Sequence, residues 1–315
     1  MVHQRTQNAG GKGSGESAEQ VAGVRLTHPD RVLFPDQGLR KRDLAAHYRT
    51  VADWILPHVV DRPLTLLRCP EGQHGQCFYQ KHTSGSEPDA IHTLEIREQK
   101  KTGTYVYVTD LAGLVGLVQI GVLEVHLWGA RRDKVDRPDR VVFDLDPGEG
   151  VGFARVMDAA RLVRDRLDDL GLESFVMTTG GKGLHVVMHV DRRHGFDEVL
   201  AFAKAVAKSI EREAPDAYIA EASKEKRKGK VFVDYLRNAR GGTAICPYST
   251  RARPGAPVAT PVRWEELSED LKPDQFTADN IGDRLARLRS DPWKWYGEEH
   301  QRITAGMRRK LGMGN

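Results

Sequence analysis

Two aspartates one residue apart, Asp144-Leu145-Asp146, close the apolar run Val141–Leu145. In an extended chain, residues i and i+2 share a face at about 6.5–7 Å, so both carboxylates leave the strand on the same side. Like charges that close repel, and one carboxyl is driven toward its protonated form unless a cation sits between them. A divalent cation resolves the conflict. Two hard cations about 3.5–4 Å apart on shared carboxylates are the usual apparatus of phosphoryl and nucleotidyl transfer. A lone Asp-x-Asp also arises at ordinary strand ends. A second β-rich run, Val231–Tyr235, carries a third carboxylate, Asp234, near its end. A two-cation site would recruit it, although an aspartate there also serves simply to face water.

The segment Thr178-Thr179-Gly180-Gly181-Lys182-Gly183-Leu184-His185 offers the complementary chemistry. Consecutive glycines let backbone N–H groups approach an oxyanion, and Thr179, Lys182 and His185 add a hydroxyl, a point charge and a ring donor. It is not a Walker loop, because Gly183 follows the lysine where Ser or Thr is required. A glycine hairpin between two strands is the plainer alternative. Arg237, Arg240, Arg251 and Arg253 supply guanidinium forks that bind phosphate bidentately, or a solvated basic face. Lys224–Lys230 holds five basic residues and one acid, a loop suited to a nucleic-acid backbone, with Lys224 and Arg227 as contacts. Phe78 and Tyr79 offer rings for base stacking, or half-buried strand positions. Cys69, His74, Cys77 and His82 match none of the common zinc spacings.

These residues need a scaffold. Helical periodicity runs over Asp43–Leu56, stopped at Pro57, and over Asp110–Gly121, Ala154–Leu170 and Phe196–Glu213. Strands are expected at Pro63–Arg68, Thr104–Val108, Leu123–Trp128, Val141–Leu145, Ser174–Met177, Leu184–Val190, Val231–Tyr235 and Thr243–Ile245. The alternation argues for an α/β domain or mixed α+β sheets. Residues 250–275, rich in Pro and polar groups, read as a surface excursion. Residues 1–23 contain five glycines and read as a disordered tail. Trp293, Trp295 and Tyr296 need a docking surface, and the basic end that follows should fray.

The composition narrows the class. The chain has 315 residues, 39% hydrophobic and 29% charged, enough for a packed core. No apolar stretch approaches the ~18–20 residues of a membrane span, and no secretory signal follows Met1. Three cysteines make no disulfide framework and fit a reducing compartment. The net charge of +4 is compatible with a polyanionic partner.

Together VVFDLDPG, TTGGKGLHV and VFVDYLRN resemble the three motifs of the polymerase domain of bacterial ATP-dependent DNA ligase D, in the archaeo-eukaryotic primase superfamily. LTHPDRVLFPD, DLAGLVGLVQIGVLEVHLWG and ICPYSTRARPGAPVATPVRWEEL are similar to that family too. The resemblance implies a primase-polymerase α/β core of two β-sheets flanked by helices, over residues 24–290, with 291–315 as a C-terminal extension. It implies a template-directed nucleotidyltransferase of DNA repair by end joining, which extends primer 3′ ends at breaks or short gaps and prefers ribonucleotides. Asp144, Asp146 and Asp234 would hold two divalent ions, Mn²⁺ or Mg²⁺. Thr179, Lys182, His185, Arg237, Arg251 and His126 would contact the incoming NTP or dNTP, and Phe78 and Tyr79 the template base. Arg31 and Lys41 match two positions that in some relatives hold a downstream 5′-phosphate. Leu67 replaces the third, with Arg68 adjacent.

The partners implied are gapped, nicked or broken DNA, a repair ligase and an end-binding protein, with no membrane. The place implied is the cytoplasm, at the nucleoid. No ligase nucleophile motif is evident, and a stand-alone homologue is expected rather than an excised domain. De novo priming uses the same motifs. A non-catalytic bridging module has no use for three aligned carboxylates, and a sugar-nucleotide transferase has none for Phe78-Tyr79.

Overall fold

The computed structural model describes residues 19–314. It opens with two small hairpins, β1 (Glu19–Val21) with β2 (Val24–Leu26) and β3 (Val32–Phe34) with β4 (Leu39–Arg40), followed by α1 (Lys41–Thr50) and α2 (Ala52–Val59). Next come β5 (Leu64–Arg68), β6 (Phe78–Gln80), the hairpin β7 (His92–Arg97) and β8 (Thr102–Tyr107), α3 (Leu111–Gln119) and β9 (Val122–Trp128). The second half runs β10 (Arg140–Pro147), α4 (Phe153–Asp168), β11 (Phe175–Thr178), β12 (Leu184–His189), α5 (Phe196–Glu213), β13 (Tyr218–Ile219) and β14 (Val231–Asp234). It ends with β15 (Thr243–Ile245), β16 (Thr260–Val262), α6 (Ile281–Arg287) and α7 (Ala305–Lys310).

Two sheets organise the molecule. One has six strands in the order β13-β14-β10-β12-β11-β16, antiparallel except for β13 beside β14; the other has four, β15-β9-β5-β6. Strand alternation sorts their side chains. On the six-stranded sheet Val141, Phe143, Leu145, Val186 and Val233 face one way, into the core that Val156, Val163, Val199, Phe202 and Val206 of α4 and α5 complete. The opposite face presents Val142, Phe175, Met177 and Val187, which meet Ala244 and Ile245 of β15. The inner faces of the two sheets therefore look at each other, apolar where they meet and polar where they part. This is the expected mixed α/β core of two sheets with flanking helices.

α5 matches its expected span because its apolar positions, Phe196, Val199, Phe202, Ala203, Val206, Ala207 and Ile210, all fall on one buried stripe. Its first turn is closed by Glu198, whose carboxylate accepts from the Gly195 N–H at 3.0 Å. Asp110 caps α3 by accepting from the Gly113 N–H at 2.9 Å.

Several expectations need correction. The helix expected over 43–56 is two helices parted at Val51, and α2 continues through Pro57. Asp53, whose carbonyl Pro57 cannot satisfy, is exposed, so water can take that acceptor. Of the tail expected over 1–23, residues 19–23 belong to the first hairpin; the rest lies outside the described residues. The surface excursion at 250–275 contains β16, an edge strand with Thr260 and Val262 buried; an edge is where a strand tolerates Pro261. Trp293 is buried against Phe175 and under Arg140 and Tyr296 packs beside it, so these two rings of the extension dock as expected, whereas Trp295 stays 50% exposed, and α7 replaces the frayed end. Cys69 and Cys77 form a disulfide. The antiparallel pairing of Arg68 with Phe78 brings the residue after β5, Cys69, opposite the residue before β6, Cys77, a juxtaposition that spacing alone does not reveal.

Candidate active site

β10 places Asp144 and Asp146 on the inner face. Asp144 is flanked by His185 on β12 and by Asp234 on β14, each directly opposite in register. Directly opposed residues share a face, so the third carboxylate joins the first two although 88 residues separate Asp146 from Asp234 in the chain. The Leu236 N–H donates to Asp234 at 2.8 Å and holds its orientation. Arg237 bridges the pair: its Nε lies 3.0 Å from Asp144 Oδ2 and 3.3 Å from Asp234 Oδ2. His185 Nε2 is 3.3 Å from Asp144 Oδ1.

The charges divide the carboxyls. Burial alone would push Asp144 up, but His185 and Arg237 outweigh it and hold the group at about 2. Asp146 is pushed up to about 6, first by burial and then by the charge of Asp144. Asp234 is raised by burial, with Asp144 adding to it. One guanidinium therefore does not neutralise three carboxylates. Hard oxygen donors with unmet negative charge fit divalent cations of the Mg²⁺ or Mn²⁺ type. Among the described residues no group of three or more His, Cys, Asp or Glu side chains is closed into a metal shell; Arg237 takes the bridging position.

The glycine turn lies beside them. Thr179, Gly181, Lys182 and His185 line a cleft of about 510 Å³ together with Asp144, Asp146, Arg237, Arg251 and Arg253. The Thr179 hydroxyl donates to Gly183 O at 3.0 Å and accepts from Gly181 N at 3.3 Å, so in this state it builds the turn rather than facing a ligand. Lys182 is exposed. A side chain at Gly183 would overlap the carbonyl of Leu145, between the two catalytic candidates. Gly183→Ala is therefore expected to destabilise the protein by about 1–3 kcal/mol, as overpacking against backbone does, and to lower nucleotide affinity; urea melts and nucleotide titration check both.

The four-stranded sheet supplies the opposite wall. Tyr79, 62% exposed, and His126 line the cleft, their rings edge to face at 5.7 Å. Glu124, two residues before His126 on β9, lies 2.9 Å from His126 Nε2 and 3.1 Å from Arg251 Nε. Arg251 Nη1 donates to Thr179 O at 2.7 Å, joining the second sheet to the glycine turn. Arg253, one of the expected guanidinium forks, does line the cleft, whereas Glu124 and the lining residues Thr243, Ala244 and Ile245 of β15 carried no signal of a site in the sequence. Glu124 alternates with Val125 and Leu127 and so reads as an outward-facing strand residue.

Other expected contacts lie outside the cleft. Arg31 and Lys41 are brought together, and the Arg31 O accepts from the Lys41 N–H at 2.8 Å. Lys41 is buried, its Nζ donating to Thr27 O and Gln119 O, and burial with Arg31 nearby lowers it to about 8. Arg68 donates to Ile120 O and Gln80 and stacks on Phe78, which is 43% exposed. Both rings are thus more available for stacking than half-buried strand positions would be. Arg227 reaches the cleft rim and stacks on Phe232, whereas Lys224 is exposed and does not line it. Arg240 is paired with Asp136 on the far side of Trp128.

Comparison with known proteins places this geometry. The model of the LigD primase-polymerase domain matches residues 40–293. The chain belongs to that family. Members of the LigD primase-polymerase family are metal-dependent, DNA-directed nucleotidyltransferases. The multifunctional non-homologous end joining protein LigD of Pseudomonas aeruginosa is 39% identical over 96% of the chain and 36% of its own length. The protein of the same name from Mycobacterium bovis is 37% identical over 87% of the chain and 37% of its own length. The chain thus spans about a third of the length of these curated relatives. The polymerase domain of Mycobacterium tuberculosis ligase D, solved in complex with DNA, superposes with a TM-score of 0.82 at 34% identity, covering 88% of this chain and 99% of that one. No helix of the described residues is long and apolar enough to cross a membrane.

Proposed function

We propose that this LigD-type polymerase extends DNA 3′ ends at breaks and short gaps during end joining, preferring ribonucleotides. The observation that carries the reading is the register of β10 with β14, which sets Asp144, Asp146 and Asp234 on one face beside a basic, glycine-turned cleft. Two divalent ions held by those carboxylates would supply charge neutralisation and a more acidic primer hydroxyl. The chain's own residues do the positioning. Lys182, Arg251, Arg253 and the N–H groups of the glycine turn bind the triphosphate. Tyr79 stacks at the base end, and Phe78 continues that surface toward the template strand. Asp146 faces the cleft, while Arg237 bridges Asp144 and Asp234 and His185 meets Asp144 from the other side. The transfer needs no protein nucleophile: the 3′ oxygen attacks the α-phosphate and pyrophosphate leaves.

Arg31, Lys224 and Arg227 bind the DNA backbone, at the nucleoid, with a repair ligase and an end-binding protein as partners. The relatives' names place them in non-homologous end joining. Extension on a short gapped duplex, with Mn²⁺ or Mg²⁺ and with ribo- or deoxynucleotides, tests the reading. Metal-dependent addition favouring ribonucleotides is expected; an inert protein in every condition removes it. Extension of an unprimed single strand would instead indicate de novo priming. Omitting the downstream 5′-phosphate is expected to weaken gap binding by less than about tenfold, ~1.4 kcal/mol. Lys41 already donates to backbone carbonyls, and Leu67 offers no charge. A larger loss in a binding titration would show that other residues complete that pocket.

A further inference from the structure

Glu124 is a carboxylate with 3% of its surface exposed, and the metal and phosphate roles above do not use it. Burying such a charge is unfavourable by several kcal/mol unless it is paired and hydrogen-bonded. Here it is satisfied three ways. Oε1 accepts from the Ala252 N–H at 2.9 Å and forms the ion pair with Arg251, and Oε2 meets His126. A carboxylate can only accept, so the hydrogen in the last contact belongs to His126 Nε2. Two of the three partners, Arg251 and His126, line the cleft; Glu124 itself does not.

Each partner then reaches a different part of the nucleotide site. Arg251 continues to the Thr179 carbonyl in the glycine turn of the other sheet. The His126 ring meets the edge of Tyr79. The attachment of β9 to the loop that follows β15 does not require Glu124. Thr250 Oγ1 donates to Leu123 O, Val125 N donates to Ser249 Oγ, and Cys246 N donates to Val125 O.

We infer that Glu124 is a positioning residue for the incoming nucleotide: one buried carboxylate holds Arg251 against the phosphate-binding turn and His126 against Tyr79, aligning the phosphate and base ends together. The inference rests on the nucleotide-binding reading given above and adds to it the group that orients two of its contacts.

Glu124→Gln tests it, because the amide keeps the shape and an acceptor for Ala252 while removing the charge. The nucleotide KM in gapped-duplex extension is expected to rise by about tenfold or more, ~1.4 kcal/mol. The kcat is expected to stay within about threefold, because the carboxylates that face the reacting atoms are untouched. DNA affinity should be unchanged, and the variant should remain folded under assay conditions although breaking the buried pair lowers its unfolding midpoint. In an Arg251→Ala background the same substitution should add less than it does in wild type, the remainder acting through His126, since coupled residues are non-additive. Glu124→Asp, which keeps the charge, should recover part of the loss. A KM within about twofold of wild type, full additivity with Arg251→Ala, or an aspartate variant no better than the glutamine one would each overturn the inference. If Glu124→Gln does not fold, the Arg251→Ala single variant still decides the matter, since an unaltered nucleotide KM there removes it. A wild-type protein that neither binds nucleotide nor extends primers overturns the function and this inference together. An active wild type with an indifferent Glu124→Gln overturns only the inference.

Discussion

Primer extension by the Asp146→Ala variant is expected to fall by at least about a thousandfold, ~4 kcal/mol of transition-state stabilisation, with gapped-DNA binding within about twofold of wild type. Asp146 is the cleaner test of the two neighbouring aspartates. Asp144 pairs with the buried His185 and with the exposed Arg237, so its removal leaves a buried ring without its carboxylate partner and disturbs the fold as well as the chemistry. Asp146 is held in an unfavourable state instead: burial and the charge of Asp144 push it up to about 6. Removing it relieves that repulsion, so the metal-free Asp146→Ala protein should unfold no earlier than wild type. A ligand that binds only the folded state raises the unfolding midpoint, and Mn²⁺ should do so for wild type and much less for the variant. The sign of the pH effect follows from the same shift. A cation competes with the proton for a carboxylate, so the Mn²⁺-induced rise should shrink as pH falls through about 6. Extension that survives in Asp146→Ala, or an undiminished Mn²⁺ effect on its unfolding, would remove the carboxylates from the metal site.

What the sequence made legible follows the range of the interactions. The span of α5 and the shared face of Asp144 and Asp146 depend on neighbours two to four residues apart, and periodicity shows these directly. The pairing of Asp144 with Asp234 is a long-range register, and from the residues alone Asp234 was only an acid near a strand end. The resemblance of three motifs supplied what spacing could not. Arg251 was legible as a phosphate fork by its type. Its anchor Glu124 was not, because a charged residue alternating with Val and Leu has the pattern of an ordinary half-buried strand. Thr179 was read as a phosphate contact by its hydroxyl, yet that hydroxyl closes the glycine turn. Lys41 was expected, through the resemblance, at a downstream 5′-phosphate, and its charge lies buried among carbonyls. In both of these cases residue type showed which groups can donate, while tertiary packing set what they donate to.

The largest effect on stability is expected where the two sheets are tied together behind the cleft. Arg62, 1% exposed, leads into β5, and Asp139, 4% exposed, leads into β10. The Arg62 Nη1 and Nη2 atoms donate to the two Asp139 oxygens at 2.6 and 2.9 Å, and Arg131 Nε adds a third contact at 3.3 Å. Arg62 Nε donates to His58 O, so the fork also fixes the end of α2. Removing one partner of such a pair leaves an uncompensated buried charge and typically destabilises by about 3–5 kcal/mol. Asp139→Ala is therefore expected to lower the unfolding free energy from urea melts by that amount, more than Arg62→Met, whose apolar stem refills part of the space and leaves Asp139 the partly exposed Arg131. His58, edge to face with Trp293, cannot take over the positive charge, because burial and the surrounding Arg140, Arg62 and Arg131 keep it neutral. The pair lies outside the cleft, so below its lowered midpoint the folded fraction of Asp139→Ala should retain wild-type nucleotide KM. A raised KM in fully folded Asp139→Ala would instead mean that the clamp sets the distance between the sheets. An Asp139→Ala unfolding free energy within about 1 kcal/mol of wild type would mean that the buried fork is replaceable by water or by packing.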